Sequence, residues 1–190
     1  GISEVNYIDF NMAQGIGDLL DLLRERGYTR IGYFGPPGKY GFNERVYNIF
    51  RKKLGGLFRP HLFAAGAESF EADFGREEEP PSERAAALIR NGAELPEVIL
   101  CNADLADSLE ETIRRQGLRV PEDVSVMGYD GIYLSRVVKP QLVTYQQNTA
   151  ALGRTAADKL IELIEHPRVT LPEQIRVSGK LLDGGSVSIL

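Results

Sequence analysis

The sequence predicts an α/β fold: a parallel sheet with helices on both faces. Two observations predict it. Short apolar runs of β-type residues alternate with helical patterns from one end of the chain to the other, and that order implies parallel strands joined by crossover helices. The runs are closed by glycine and proline turns, as at Gly35-Pro36-Pro37-Gly38, which sets short element lengths.

The elements follow in order. Val5-Asn6-Tyr7-Ile8 reads as a strand. Met12 to Arg26 reads as a helix, with Ile16, Leu19, Leu20, Leu22 and Leu23 on one stripe and Gly27 as its stop. Ile31-Gly32-Tyr33-Phe34 is a strand, and Asn43 can cap a helix that runs to about Leu54. Leu62-Phe63-Ala64 is a weaker strand. Phe70 to Pro81 is acidic and ends in Pro80-Pro81, so it reads as a loop. Ser82 can cap the helix Glu83 to Arg90. Val98 to Cys101 is a strand and Leu105 to Arg115 a helix stopped at Gly117. Val124 to Met127 is a strand ended by Gly128, and Leu142 to Tyr145 another. Thr149 to Ile164 is a long amphipathic helix with Pro167 just past its end, and Gln174 to Val177 is the last strand.

Composition narrows the function. The 190 residues suffice for one substantial domain or two small lobes, with 43% hydrophobic and 26% charged residues. No run approaches the ~20 apolar residues that span a bilayer, so no membrane role is expected. The start, Ile2-Ser3-Glu4-Val5, lacks the basic and apolar regions of a signal peptide. The net charge of −5 is wrong for a nucleic-acid surface, which needs positive charge to neutralise phosphates. One cysteine, Cys101, excludes an internal disulfide and a cysteine-rich zinc site, and a reducing cytoplasm is the expected compartment. Glu77-Glu78-Glu79 reads as a solvated loop rather than a metal site. His61 and His166 have no candidate triad around them, and no Gly-x-Gly-x-x-Gly loop follows a strand, so neither enzyme chemistry nor a cofactor is expected.

In an open parallel sheet, ligands sit outside the carboxyl ends of the strands. The polar residues that follow strands are Asn102, Asp130 and Gln146-Gln147. Amides donate and accept, and a carboxylate accepts strongly, which suits the hydroxyls of a neutral polyol. The same residues can instead cap the helices and turns that follow them.

The run from Gly117 to Asp130, Gly-Leu-Arg-Val-Pro-Glu-Asp-Val-Ser-Val-Met-Gly-Tyr-Asp, resembles the signature of the lactose-repressor (LacI/GalR) family of transcription regulators. Asn102-Ala103-Asp104-Leu105-Ala106 resembles the family's A-N-D-x-M-A box. Lys139 to Gln147 resembles its P-x-L-T-T-x-x-Q segment, Gly27-Tyr28-Thr29-Arg30-Ile31 its G-H-x-x-I, and Glu44-Arg45 its E-R pair. The resemblance implies a fold like that of periplasmic sugar-binding proteins. It implies a ligand-responsive regulator, most simply a repressor, without its DNA-reading headpiece. A periplasmic sugar-binding protein of a transporter is the alternative. By the same likeness, residues 1–148 are the C-terminal lobe of the effector core, residues 149–178 a returning helix and strand of a truncated N-terminal lobe, and residues 179–190 a C-terminal tail.

The resemblance also assigns roles. Arg45, Asn102, Asp130 and Gln147 would grip the effector, a sugar or sugar phosphate. Phe74, with Phe70 as second choice, would stack on the ring. Leu105, Leu109, Leu134, Val137 and Val138 would supply a homodimer surface, and operator DNA would be met only through the absent headpiece. Ala103, Gly131, Asn48 and Val143 depart from the family's usual residues.

Overall fold

A computed structural model describes residues 5–36, 41–64, 81–90, 94–131, 133–167 and 172–188. In chain order they form β1 (Tyr7–Phe10), α1 (Met12–Glu25), β2 (Ile31–Phe34), α2 (Phe42–Leu54), β3 (Phe63–Ala64), α3 (Pro81–Arg90), β4 (Val98–Asn102), α4 (Ala106–Arg115), β5 (Ser125–Asp130), α5 (Leu134–Val137), β6 (Val143–Gln146), α6 (Thr149–Glu165), β7 (Gln174–Val177) and β8 (Lys180–Leu182).

The main sheet has the order β3-β2-β4-β5-β6-β8, parallel except for β8, which runs antiparallel to β6. Consecutive side chains of its strands feed two separate cores. Tyr33, Leu100, Met127 and Tyr145 face α1 and α2, with Leu19, Leu20 and Phe50. Phe34, Ile99, Cys101 and Val126 face α3 and α4, with Leu88, Leu109 and Ile113. This is the period of two that a pleated strand imposes, and both of its faces are covered. The chain turns in opposite directions from β2, to β3 on one side and to β4 on the other. The carboxyl ends of β2 and β4 therefore flank the topological switch point, where such sheets bind ligands.

A second, two-stranded parallel sheet pairs β1 with β7 from Tyr7↔Gln174 to Phe10↔Val177. Helix α6 packs on it and leaves Leu160, Ile161 and Ile164 exposed. Residues 180–182, read from the sequence as tail, form the edge strand β8. We propose a lobe division by sheet, in which β1 goes with α6 and β7, and β8 goes with β2 to β6, rather than a break at residues 148 and 178.

Several boundaries differ from the sequence reading, each for a physical reason. β1 begins at Tyr7 rather than Val5 because its register with β7 runs from Tyr7 to Phe10. Asn43 does not cap α2. Gly41 holds the cap position at φ +62, and Asn43 lies buried in the first turn with its amide on the Pro36 carbonyl (3.0 Å). α3 begins at Pro81, where proline's fixed φ suits a first helical residue, and not after a Ser82 cap. Gly128 does not end β5, which continues to Asp130. A Cβ at Gly128 would lie 3.0 Å from the Thr144 hydroxyl of the neighbouring strand.

Glu110 on α4 is fully buried. One carboxylate oxygen meets Arg114 at 2.6 Å, and the other has no partner among the described residues. Burial pushes its pKa up to about 7 against the opposing pull of Arg114. The folded state thus disfavours the ionised form, so the stability Glu110 contributes is full below pH ~4.5 and lost as pH rises through about 7. The Glu110→Gln variant should flatten that decline, worth up to ~3 kcal/mol. Chemical denaturation at pH 5 and pH 8 measures it; an unchanged slope in the variant contradicts the assignment.

Candidate effector-binding site

Three of the sequence-predicted residues converge at strand ends. Asn102 closes β4, Asp130 closes β5, and Gln147 follows β6. The register brings them together: Asn102 stands opposite Tyr129, and Asp130 opposite Gln146. The Asp130 carboxylate accepts from Asn102 Nδ2 at 3.3 Å and from Gln147 Nε2 at 2.5 Å. Asp130 adopts φ +93, the one positive φ of a non-glycine residue among those described. Such a conformation is uncommon and clusters at functional sites. Strand pairing thus aims one carboxylate between two amides.

Sequence reasoning missed the inner part of this cluster. Tyr33, 2% exposed, donates its hydroxyl towards Asn43 Oδ1 (3.3 Å) and Asn102 Oδ1 (3.4 Å). The chain Pro36–Asn43–Tyr33–Asn102–Asp130–Gln147 therefore crosses the switch point from β2 to β6. Tyr33 reads as an ordinary apolar strand residue, and Asn43 as a helix cap; the place of Tyr33 near the end of β2, beside a Gly-Pro turn, is the available signal. Burial raises the Tyr33 and Tyr129 hydroxyl pKa values far above the ordinary range, and the Asp130 charge adds to both. Both phenols remain neutral at physiological pH. Tyr129 and Tyr145 stack with ring centroids 6.1 Å apart and walls 8° from parallel. The set offers amide and phenol hydrogen bonds around a carboxylate, which is recognition chemistry for hydroxyl-bearing ligands.

Arg45 is not hydrogen-bonded to this cluster. Its Nε donates to the Gly41 carbonyl at 3.1 Å, and its side chain lines a separate cavity of about 300 Å³. Phe74 and Phe70 lie outside the described residues. Of the dimer candidates, Leu109 is wholly buried in this chain's own core, which corrects its reading as a partner contact. Its helix turns that face onto the sheet. Val138 is likewise 8% exposed and faces inward, whereas Val137 (48%) is open, as is the neighbouring Tyr133 (76%). Leu105 is partly buried against the same core, and Leu134 begins α5. Ala103, one of the departures from the family pattern, is buried at 2% exposure and donates its N–H to the Tyr129 carbonyl.

Over residues 20–187 the sequence matches the family of periplasmic binding protein-like domains. The HTH-type transcriptional repressor PurR of Aliivibrio salmonicida is 32% identical over 145 residues, which are 75% of this chain and 41% of that protein. The repressor CytR of Escherichia coli is 28% identical over 156 residues, 80% of this chain and 43% of that protein. This chain spans less than half the length of these curated relatives. Among solved structures, the complex of the transcriptional regulator CelR with cellobiose matches with a TM-score of 0.79 at 22% identity, over 97% of this chain and 54% of that one. At that identity the likeness shows the fold.

Proposed function

Because the chain belongs to the periplasmic-binding-protein-like family, in the form carried by LacI-type regulators, we propose that it is the effector-sensing core of a transcriptional repressor. The observation that carries this reading is the Asp130 carboxylate held between Asn102 and Gln147 at the strand ends. A sugar or sugar phosphate would exchange its hydroxyls for these internal hydrogen bonds. The ligand would favour one relative orientation of the two sheets. It can do so only by binding one orientation more tightly than the other. The regulator would act as a homodimer in the cytoplasm, joined through the surface around Val137. It would reach operator DNA through a headpiece that is not part of these 190 residues. The curated relatives are repressors rather than transport proteins, which favours this reading over a periplasmic binding protein. Among the described residues no helix is long and apolar enough to cross a membrane.

The test is a thermal-shift screen of neutral sugars, sugar acids and sugar phosphates on the natural full-length protein. A binder at 100 times its Kd should add about 2.7 kcal/mol to the stability of the folded state. The same compound should change retention of a promoter fragment from the protein's own operon. A panel that leaves both the melting midpoint and the DNA complex unmoved sinks the reading.

A further inference from the structure

The cavity beside Arg45 lies between the two-stranded sheet and the helices α1 and α2 that pack on the main sheet. β1 and β7 contribute Asp9 and Arg176, the turn into α1 contributes Asn11, and α2 contributes Arg45, Asn48 and Ile49. Its volume, about 300 Å³, is at the small end of ligand pockets and suits one substituent with a few ring atoms. Two guanidinium groups line it against one carboxylate. Arg176 is braced: Nη1 donates to the Tyr7 hydroxyl (3.0 Å) and pairs with Asp9 (3.3 Å), while its guanidinium lies 4.6 Å over the Tyr7 ring. Asp9 is further engaged by the Tyr7 hydroxyl at 2.5 Å and the Phe10 N–H at 2.8 Å. Among the described residues that line the cavity, Asp9 therefore offsets one positive charge and leaves the second uncompensated. Arg45 commits only its Nε among the described residues, so its terminal nitrogens are uncommitted there.

Neutral hydroxyls need no second guanidinium. An arginine drawn from water into a closing cavity is costly unless an anion meets it. A planar guanidinium pairs in two-pronged fashion with phosphate or carboxylate oxygens. We propose that this cavity is an anion subsite of the effector cleft, which takes a phosphate or carboxylate substituent between Arg176 and Arg45. The proposal rests on the effector-sensing reading above. An anion there would tie the two-stranded sheet to α2, so its binding would itself favour one orientation of the two.

The test is calorimetry on the natural full-length protein with matched probes: ribose against ribose 5-phosphate, and glucose against glucose 6-phosphate and glucuronate. At least one anionic probe should bind about tenfold or more tightly than its neutral parent, which is one charge-assisted pair. Glucose 6-phosphate against glucuronate tells phosphate from carboxylate. Arg176→Gln should narrow the preference to within about twofold. Asp9→Asn removes the competing charge while keeping an acceptor for the Tyr7 hydroxyl, and should widen the preference about threefold. That gain is not expected of a residue with a merely structural role, and it keeps the test decisive if Arg176→Gln folds poorly. Equal binding of neutral and anionic probes, or a preference unmoved by both variants, overturns the anion subsite and leaves the effector reading standing. Failure of every probe, neutral and anionic, overturns both.

Discussion

Asp130→Gly lowers affinity for the effector by about two orders of magnitude and leaves the melting midpoint of the free protein unchanged or raised. The Asp130 carboxylate holds Asn102 at 3.3 Å and Gln147 at 2.5 Å, so on the proposed reading it would both meet the ligand and set the aim of the two amides. Hydrogen bonds to an ionised group are worth roughly 1.5–3 kcal/mol each. Losing two such bonds to ligand hydroxyls, at the low end, gives about 3 kcal/mol, or ~100-fold. Glycine is the informative replacement because Asp130 sits at φ +93. There an alanine adds backbone strain of ~1–2 kcal/mol, and glycine removes it. Binding and folding then move in different directions, which separates a ligand contact from a structural one. Calorimetry with the sugar found by thermal shift, together with a melt of the unliganded protein, measures both. Unchanged affinity removes Asp130 from the site.

Much of the fold was legible because strand runs and helical stripes report burial directly. The signature run from Gly117 to Asp130 is legible for a different reason: most of it builds a turn. Asp123 accepts from the Arg119 N–H, Nε and Nη2, and this pairing lowers its pKa to about 2. Ser125 shares a hydrogen bond with the Tyr28 hydroxyl at 2.8 Å. Only the last residue, Asp130, reaches the hydrogen-bonded cluster at the strand ends. Strand-end position found Asn102, Asp130 and Gln147, because a parallel sheet puts all its carboxyl ends on one edge. The same rule could not find Tyr33, whose aromatic body reads as core while its hydroxyl does polar work. Nor could it find the Asp9–Arg176 cavity, because the pairing of residue 9 with residue 176 is a long-range register that no local pattern carries. Leu109 reads from sequence as a partner contact because an apolar helical residue after a family motif looks the same whether it faces a partner or its own sheet.

Gly131→Ala should destabilise the protein by about 3 kcal/mol or more and loosen the effector site with it. Gly131 follows Asp130 with φ +57, and a Cβ placed on it would lie 2.4 Å from Gln146 Cα and 2.9 Å from the Gln146 nitrogen. Those atoms are backbone of the adjoining strand and cannot rotate away. The strand ends must part, and that pulls at the Gln147 N–H to Asp130 carbonyl bond and at the side-chain bond beside it. Two terms contribute: the left-handed conformation, ~1–2 kcal/mol for a residue with a Cβ, and overpacking, ~1–3 kcal/mol. Gly131→Asn separates them, because asparagine tolerates a left-handed backbone and so lowers only the first. If the collision dominates, asparagine recovers little of the lost stability; if the conformation dominates, it recovers most. The resemblance puts an aspartate or asparagine here in many relatives, so the glycine looks like a departure in ligand recognition. The Gln146 backbone gives it a steric cause instead: in this chain β5 and β6 close too tightly at Gly131 for any side chain. Urea denaturation of the glycine, alanine and asparagine forms decides between the two accounts, and three equal midpoints would refute both.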